Sequence, residues 1–279
     1  MTIAITGATG QLGRLALAAL KARAPDVAVV ALARDPAADL GVPVRGFDYA
    51  KPETLAPALA GIKTLVLISS NDFNDRAGQH RAVIDAAKAA DVGRIIYTSI
   101  LKGDASPMLL AADHIATEAH LKASGLAVTL LRNGWYTENY TGSLAGSVAH
   151  GALIGASGEG RIASAARADY AEAIAVAALD EAHAGKTYEL AGDLPHSMAD
   201  FATEVSRQVG RDIPFNSLPK DVYAGILTGF GLPEGFATIL ADSDDHASRG
   251  ALFDDSQTLS RLIDRPTTPI AVSIKAALA

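Results

Sequence analysis

Six short runs of aliphatic and β-branched residues punctuate the first half of the chain: TIAIT (2–6), VAVVALA (27–33), VPVRGF (42–47), TLVLIS (64–69), RIIYTS (94–99) and AVTLLR (127–132). Most are apolar at successive positions rather than at every second one. A strand with one face in water alternates, whereas a strand apolar throughout is buried on both faces, as parallel strands covered by helices are. Alanine-rich stretches with helical spacing separate most of the runs, at 11–24, 52–61, 75–91 and 107–125. Pro52 and Pro107 suit first-turn helix positions, and Gly61 and Gly125 suit the residue after a helix end. Residues 34–41 are too few for a full helix, so a loop or single turn is expected between the second and third runs. The pattern predicts an α/β fold with a doubly wound parallel sheet. With hydrophobic residues at 49% of 279, the chain can bury a sizeable core.

The rhythm breaks after Arg132. Residues 133–164 are rich in Gly, Ser and aromatic side chains. A small-residue helix (167–182), a short strand (187–192), a helix (197–210) and another short strand (213–218) follow, and helical segments close the chain. The expected organisation is a main domain over 1–132 and a smaller C-terminal α/β lobe over 133–279, with some strands returning to the main sheet.

The first strand runs into TGATGQLGR, with Gly7, Gly10 and Gly13 at every third position. Between a strand and a helix, such glycines have three uses: a sharp turn, backbone approach to a pyrophosphate, and close helix–strand packing. The helix N-terminus then offers free N–H groups and a partial positive charge to phosphates. Gly-x-x-Gly-x-x-Gly is not the commoner Gly-x-Gly-x-x-Gly, so the strand–turn–helix context carries the reading of a Rossmann-type dinucleotide site. Residues Gly7, Ala8, Thr9, Gly10, Gln11, Leu12 and Gly13 make the expected turn.

The end of the second strand selects the cofactor, since an acidic residue there favours NAD and an arginine favours the 2′-phosphate of NADP. The sequence places Arg34 there, 21 residues after Gly13, with Asp35 beside it. NADP(H) is therefore expected. Asp48 and Tyr49, after the third strand, suit either an adenine contact or an ordinary turn. Ser69, Ser70 and Asn71 follow the fourth strand, at the sheet edge where ligands bind in open α/β folds.

Other chemistries are set aside. Without cysteine there is no disulfide, zinc–thiolate site, iron–sulfur ligation or thiol catalysis. A net charge of −7 argues against nucleic acid. No leader pattern opens the chain and no run has membrane-spanning length, so a cytoplasmic protein without membrane association is expected. The long helices leave a homodimer open. His114 and Glu118 sit one helical turn apart, but two ligands make no metal site, and His120 faces elsewhere. The aspartate-rich stretch 242–255 does not have the spacing of a calcium loop, and helix capping or solvation is expected of it. No metal is expected.

Short-chain reductases usually carry Tyr-x-x-x-Lys on the helix after the fifth strand, as proton donor and its partner. None of the seven tyrosines here is followed by lysine four residues on. An acceptor that takes hydride into a conjugated, electrophilic system needs a positioned acid much less than a ketone does.

The motifs TGATGQLG, ISS, YTS and LLRNGWYTENY together resemble the atypical, NmrA-like branch of the short-chain superfamily. IASAARADYA, YELAG and LADSDDHASRGALFDDSQTLSRLI are more specifically similar to bacterial type 2 NAD(P)H:quinone oxidoreductases. The resemblance runs nearly end to end, and triphenylmethane reductase is a near relative. It implies a flavin-free enzyme that binds NADPH and passes hydride directly to a planar acceptor such as a quinone. It assigns Arg34 to the 2′-phosphate and Ser69, Ser70 and Asn71 to the length of the cofactor. It assigns Asn133, Gly134, Trp135, Tyr136, Thr137 and Glu138 to the nicotinamide end and the substrate cleft, which Ser164 also faces. It supplies no proton donor, so the catalytic residue is unassigned. Trp135 suits stacking on a quinone or plugging the seam between lobes, and Tyr136 and Tyr140 suit hydrogen bonds to a quinone oxygen or packing. A triarylmethane-dye reductase and a non-catalytic, NADP-binding redox-sensing regulator are the alternatives.

Overall fold

A computed structural model describes all residues, 1–279. The main sheet has seven strands: β1 (Thr2–Ile5), β2 (Ala28–Ala33), β3 (Val44–Gly46), β4 (Thr64–Leu67), β5 (Arg94–Ile100), β6 (Ala127–Asn133) and, out of sequence, β8 (Thr187–Leu190). A separate two-stranded parallel sheet pairs β7 (Leu153–Gly155) with β9 (Phe215–Ser217). The helices are α1 (Gln11–Arg23), α2 (Leu55–Leu59), α3 (Arg76–Ala89), α4 (Ala111–Ser124), α5 (Glu138–Thr141), α6 (Leu144–His150) and α7 (Arg167–Leu179). They continue with α8 (Met198–Val209), α9 (Lys220–Gly229), α10 (Glu234–Ala247), α11 (Thr258–Ile263) and α12 (Ile270–Leu278).

The strand order is β3-β2-β1-β4-β5-β6-β8, and every pairing from β3 through β6 is parallel. The chain winds outward from β1 through β2 to β3, then returns to the other side of β1 with β4. That reversal makes the carboxyl ends of β1 and β4 the switch point where open α/β sheets bind ligands.

Alternate strand residues face opposite layers. Val30, Leu32, Leu65, Leu67, Ile95 and Tyr97 form one buried cluster with Leu55 and Leu59 of α2, Val83, Ile84 and Ala87 of α3, and Leu121 of α4. On the other face α1 packs against α7, which also lies on β4, β5 and β6. The alanines of α7 allow that approach, and Ala173, Ile174, Ala175, Ala177 and Ala178 are all fully buried.

The chain divides into two compact units, both discontinuous. The first holds residues 1–103, 113–133 and 167–188, and the second 104–112, 134–166 and 189–279. The single boundary at 132/133 drawn from sequence thus becomes several. Of the late strands, β8 joins the main sheet but β9 does not, because its partner is β7. Pro107 does not open a helix, since α4 starts at Ala111. The glycine-rich stretch after 133 holds two short helices and a strand that its composition conceals. Pro52 does sit in the first turn of a short 3-10 helix, and Gly61 and Gly125 follow helices with positive φ.

Candidate cofactor site

The glycine turn is built by three separate constraints. Gly7 has φ +59°, which a side chain rarely adopts. Gly10 N–H donates back to Gly7 O at 2.9 Å, and a Cβ on Gly10 would stand 3.2 Å from that oxygen. A Cβ on Gly13 would lie 2.2 Å from Gly7 O and 2.8 Å from Ala8 Cα, so α1 can approach the turn only if this position is glycine. Ala8, Leu12 and Gly13 are buried, whereas Thr9, Gly10 and Gln11 are exposed. Gly10 is the N-cap of α1, and no side chain caps that end or puts an acid in its first turn. The first N–H groups of a helix have no intrahelical acceptor. With the dipole behind them they form a ready seat for phosphate oxygens.

Arg34 follows β2, is exposed, and has no carboxylate paired with it. Asp35 is turned into its own loop, where Oδ1 accepts from Ala37 N–H at 2.9 Å. Asp48 does the same for Ala50 N–H. The Tyr49 hydroxyl lies 2.6 Å from Thr6 Oγ1 and 2.7 Å from Ile68 O. Ile68 N–H in turn donates to Thr6 Oγ1 at 2.9 Å. Tyr49 therefore ties the ends of β1 and β4 together, and burial raises its hydroxyl above the usual range. Asp48 thus holds an ordinary turn, and Tyr49 has a strand-linking role that neither reading named.

Ser69, half-buried, and Asn71, exposed, flank the buried Ser70 just past β4. Ser69 N–H donates to Thr98 Oγ1 at 2.9 Å. Arg76, Gln79 and His80 of α3 surround Ser70. Neither Arg76 nor Gln79 stands out in the sequence, and His80 is expected from it only to be solvated or locally hydrogen-bonded, the second of which is observed. The visible signal of the three is polar side chains at i, i+3 and i+4 on a helix whose solvent face is already supplied by Arg81, Asp85 and Lys88.

Asn133 ends β6 and is buried, and its carbonyl accepts from Leu101 N–H. In the second unit Gly134 N–H donates to Leu190 O at 2.7 Å. The next residues run beside the 164–165 segment through Ala165 N–H to Trp135 O and Thr137 N–H to Ala165 O. Trp135 is mostly buried and Tyr136 half-buried. The hydroxyls of Thr137 and Ser164, both buried, are 3.0 Å apart. Glu138 opens α5. Tyr140 packs on Phe201, with ring centroids 5.9 Å apart, and its enclosed hydroxyl meets no hydrogen-bond partner.

His114 and Glu118 are each hydrogen-bonded within the fold, though to other residues and not to one another. His114 is buried, and its Nδ1 lies 2.8 Å from the Tyr97 hydroxyl. Glu118 binds Arg132 and Ser99. His120 points away and pairs with Asp85. No group of three or more histidines and carboxylates is arranged to hold a metal. Part of the aspartate-rich stretch is also corrected. Asp242 and Asp244 lie buried within α10 rather than as solvated caps, accepting from Leu109 N–H and Ala156 N–H.

A family model described as NAD(P)H-binding matches residues 7–181. Quinone oxidoreductase 2 of Escherichia coli strain K12 is 50% identical over 277 residues, covering 98% of this chain and 97% of that protein. The crystal structure of the NADPH-dependent quinone oxidoreductase from Escherichia coli complexed with NADPH superposes with a TM-score of 0.95 at 48% identity, covering 99% of this chain and 100% of that one. Triphenylmethane reductase of Citrobacter sp., complexed with NADP(H), gives a TM-score of 0.91 at 33% identity, covering 99% and 100%.

Proposed function

The chain belongs to the NAD(P)H-binding family, and from that premise we propose that it is an NADPH-dependent quinone oxidoreductase working without flavin or metal. The observation that carries this reading is the uncapped N-terminus of α1 behind the Gly7–Gly13 turn, with the unpaired Arg34 at the neighbouring strand end. The half-identical quinone oxidoreductase 2, aligned over nearly its whole length, supports the acceptor class.

Bound NADPH supplies a hydride, and with one proton the quinone becomes a hydroquinone in a single two-electron step. The chain's own part is to bind and orient. The α1 N-terminus and the turn hold the pyrophosphate, and Arg34 pairs with the 2′-phosphate. Ser69 and Asn71 lie along the dinucleotide. Asn133, Gly134, Thr137 and Glu138 serve the nicotinamide end, and Ser164 supports Thr137. Trp135, Tyr136 and Tyr140 serve the planar acceptor, whose aromatic face suits offset stacking. Orientation of two reactants is itself a large part of such a rate enhancement. The proton comes from solvent or a nearby hydroxyl.

The test is loss of NADPH absorbance with purified, flavin-free protein and benzoquinones or naphthoquinones, with the non-enzymatic background subtracted. A triarylmethane dye serves as the competing acceptor. Saturable turnover on quinones is expected. Turnover on the dye alone assigns the neighbouring chemistry, and tight NADPH binding without turnover on either assigns a redox-sensing role.

A further inference from the structure

Every polar group of Ser70 is held by one face of α3. Arg76 Nε donates to Ser70 O at 2.6 Å, the Ser70 hydroxyl donates to Gln79 Oε1 at 2.8 Å, and Ser70 N–H donates to His80 Nε2 at 2.9 Å. The three residues stand at i, i+3 and i+4, the spacing that places side chains on one helix face. All three are buried, and so is Ser70. The grip extends along the loop. Gln79 Nε2 donates to Asp72 Oδ2 at 2.6 Å, and Asp72 N–H donates to Ser70 Oγ at 3.1 Å.

The protonation state of His80 follows from the network. Thr117 Oγ1 gives its hydrogen to Asp113 O at 2.7 Å. It can therefore only accept from His80 Nδ1, 3.0 Å away. Nδ1 carries the proton, which leaves a lone pair on Nε2 for Ser70 N–H. Burial, with the Arg76 guanidinium nearby, pushes the imidazole down to about 3 and keeps it neutral.

Three buried polar side chains on one helix face are a costly way to fill a core. Apolar residues would pack there without needing partners. What they could not do is fix the carbonyl, amide and hydroxyl directions of one residue at the switch point of the sheet. Ser69 and Asn71, on either side of it, are the proposed cofactor contacts. We infer that Arg76, Gln79 and His80 are positioning residues for the dinucleotide, acting through Ser70 to hold Ser69 and Asn71 in the binding geometry. The inference rests on the cofactor reading of Ser69 and Asn71 given above.

The experiment compares the wild type with His80→Leu, which fills the space without an acceptor, and His80→Gln, which restores an acceptor of similar reach. Gln79→Met is the second variant, near in shape and unable to hold Ser70 and Asp72, should His80→Leu fail to fold. NADPH dissociation constants, KM for NADPH and for a benzoquinone, and cofactor-free melting temperatures are read for each. His80→Leu and Gln79→Met are expected to weaken NADPH roughly tenfold, the scale for stranding a buried donor or acceptor. KM for NADPH should rise with it, the quinone KM should stay constant, and His80→Gln should recover most of the loss. A lowered melting temperature with unchanged NADPH affinity overturns the inference and leaves only a packing role. Gly10→Val separates the two levels. If the wild type binds no NADPH, or Gly10→Val binds it as the wild type does, the cofactor reading falls and the inference with it. If Gly10→Val alone loses binding, only the positioning role falls.

Discussion

The Glu118 carboxylate grips the Arg132 guanidinium with two bonds, Nε to Oε1 at 2.9 Å and a terminal nitrogen to Oε2 at 2.6 Å. Ser99 adds a third, donating to Oε1 at 2.5 Å. The pair joins α4 to β6 with little exposure to water, so removing one charge strands the other. Glu118→Gln is expected to cost about 3 kcal/mol of unfolding free energy. Urea denaturation checks this, and a loss under about 1 kcal/mol would class the pair with exposed ion pairs.

Gly13 and Gly10 differ in how much room they leave. A methyl on Gly13 would overlap backbone atoms that cannot move aside, whereas one on Gly10 meets a single oxygen at 3.2 Å. Gly13→Ala should lower stability by about 2 kcal/mol, the usual scale for overpacking, and abolish NADPH binding. Gly10→Ala should leave the cofactor-free melting temperature close to wild type. Equal melting temperatures for the two variants would contradict the packing geometry.

Arg34 meets no protein carboxylate, so its charge is available to a ligand phosphate. Arg34→Ala is expected to weaken NADPH by roughly ten- to a hundredfold, the scale of a charge-assisted hydrogen bond, while NADH affinity changes little. Parallel titrations with the two nucleotides decide it. An equal loss for both would remove Arg34 from the 2′-phosphate.

Acid should destabilise the fold from near pH 6.5 downward. Burial holds His80 and His114 at about 3. Between about 6.5 and 3 the unfolded chain therefore binds two protons that the native state refuses, and stability falls as pH drops. Asp244 acts in the opposite sense. Burial raises its carboxyl to about 6, so between 6 and its ordinary 3.8 the native state holds a proton that the unfolded chain lacks. His196, also lowered by burial, acts with His80 and His114, so the histidines outweigh Asp244 and stability falls with pH between pH 6 and 4. Asp72 and Asp200, held low by hydrogen bonds, add to the loss only in stronger acid. Urea midpoints at pH 7 and 5 test the direction. Asp244→Asn should steepen the decline, and an unchanged slope would show that Asp244 is not the compensating group.

The first six strands and their parallel sheet were legible because most of the runs are apolar at successive positions and the glycine turn sits between a strand and a helix. Arg34 was legible because its place is fixed by counting from that turn. Pro107 misled because the segment before α4 is fixed by a distant carboxylate, Asp242 on the Leu109 amide. No local signal announces such a partner. α5 and α6, at four and seven residues, are too short to display a period. The burial of Arg76, Gln79 and His80 was not legible, because charge and polarity ordinarily mark exposure. Their burial follows from a partner, Ser70, whose own importance depends on the fold.

The chain crosses between its two units five times, at 103/104, 112/113, 133/134, 166/167 and 188/189. Domains made in one continuous stretch can fold in the order they leave the ribosome. Here α1, which carries the phosphate-facing turn, packs against α7, and α7 is not synthesised until residue 179. The N-terminal glycine turn is thus among the first segments made and among the last to be braced. Nascent chains halted before residue 167 should not hold NADPH, however complete their first six strands.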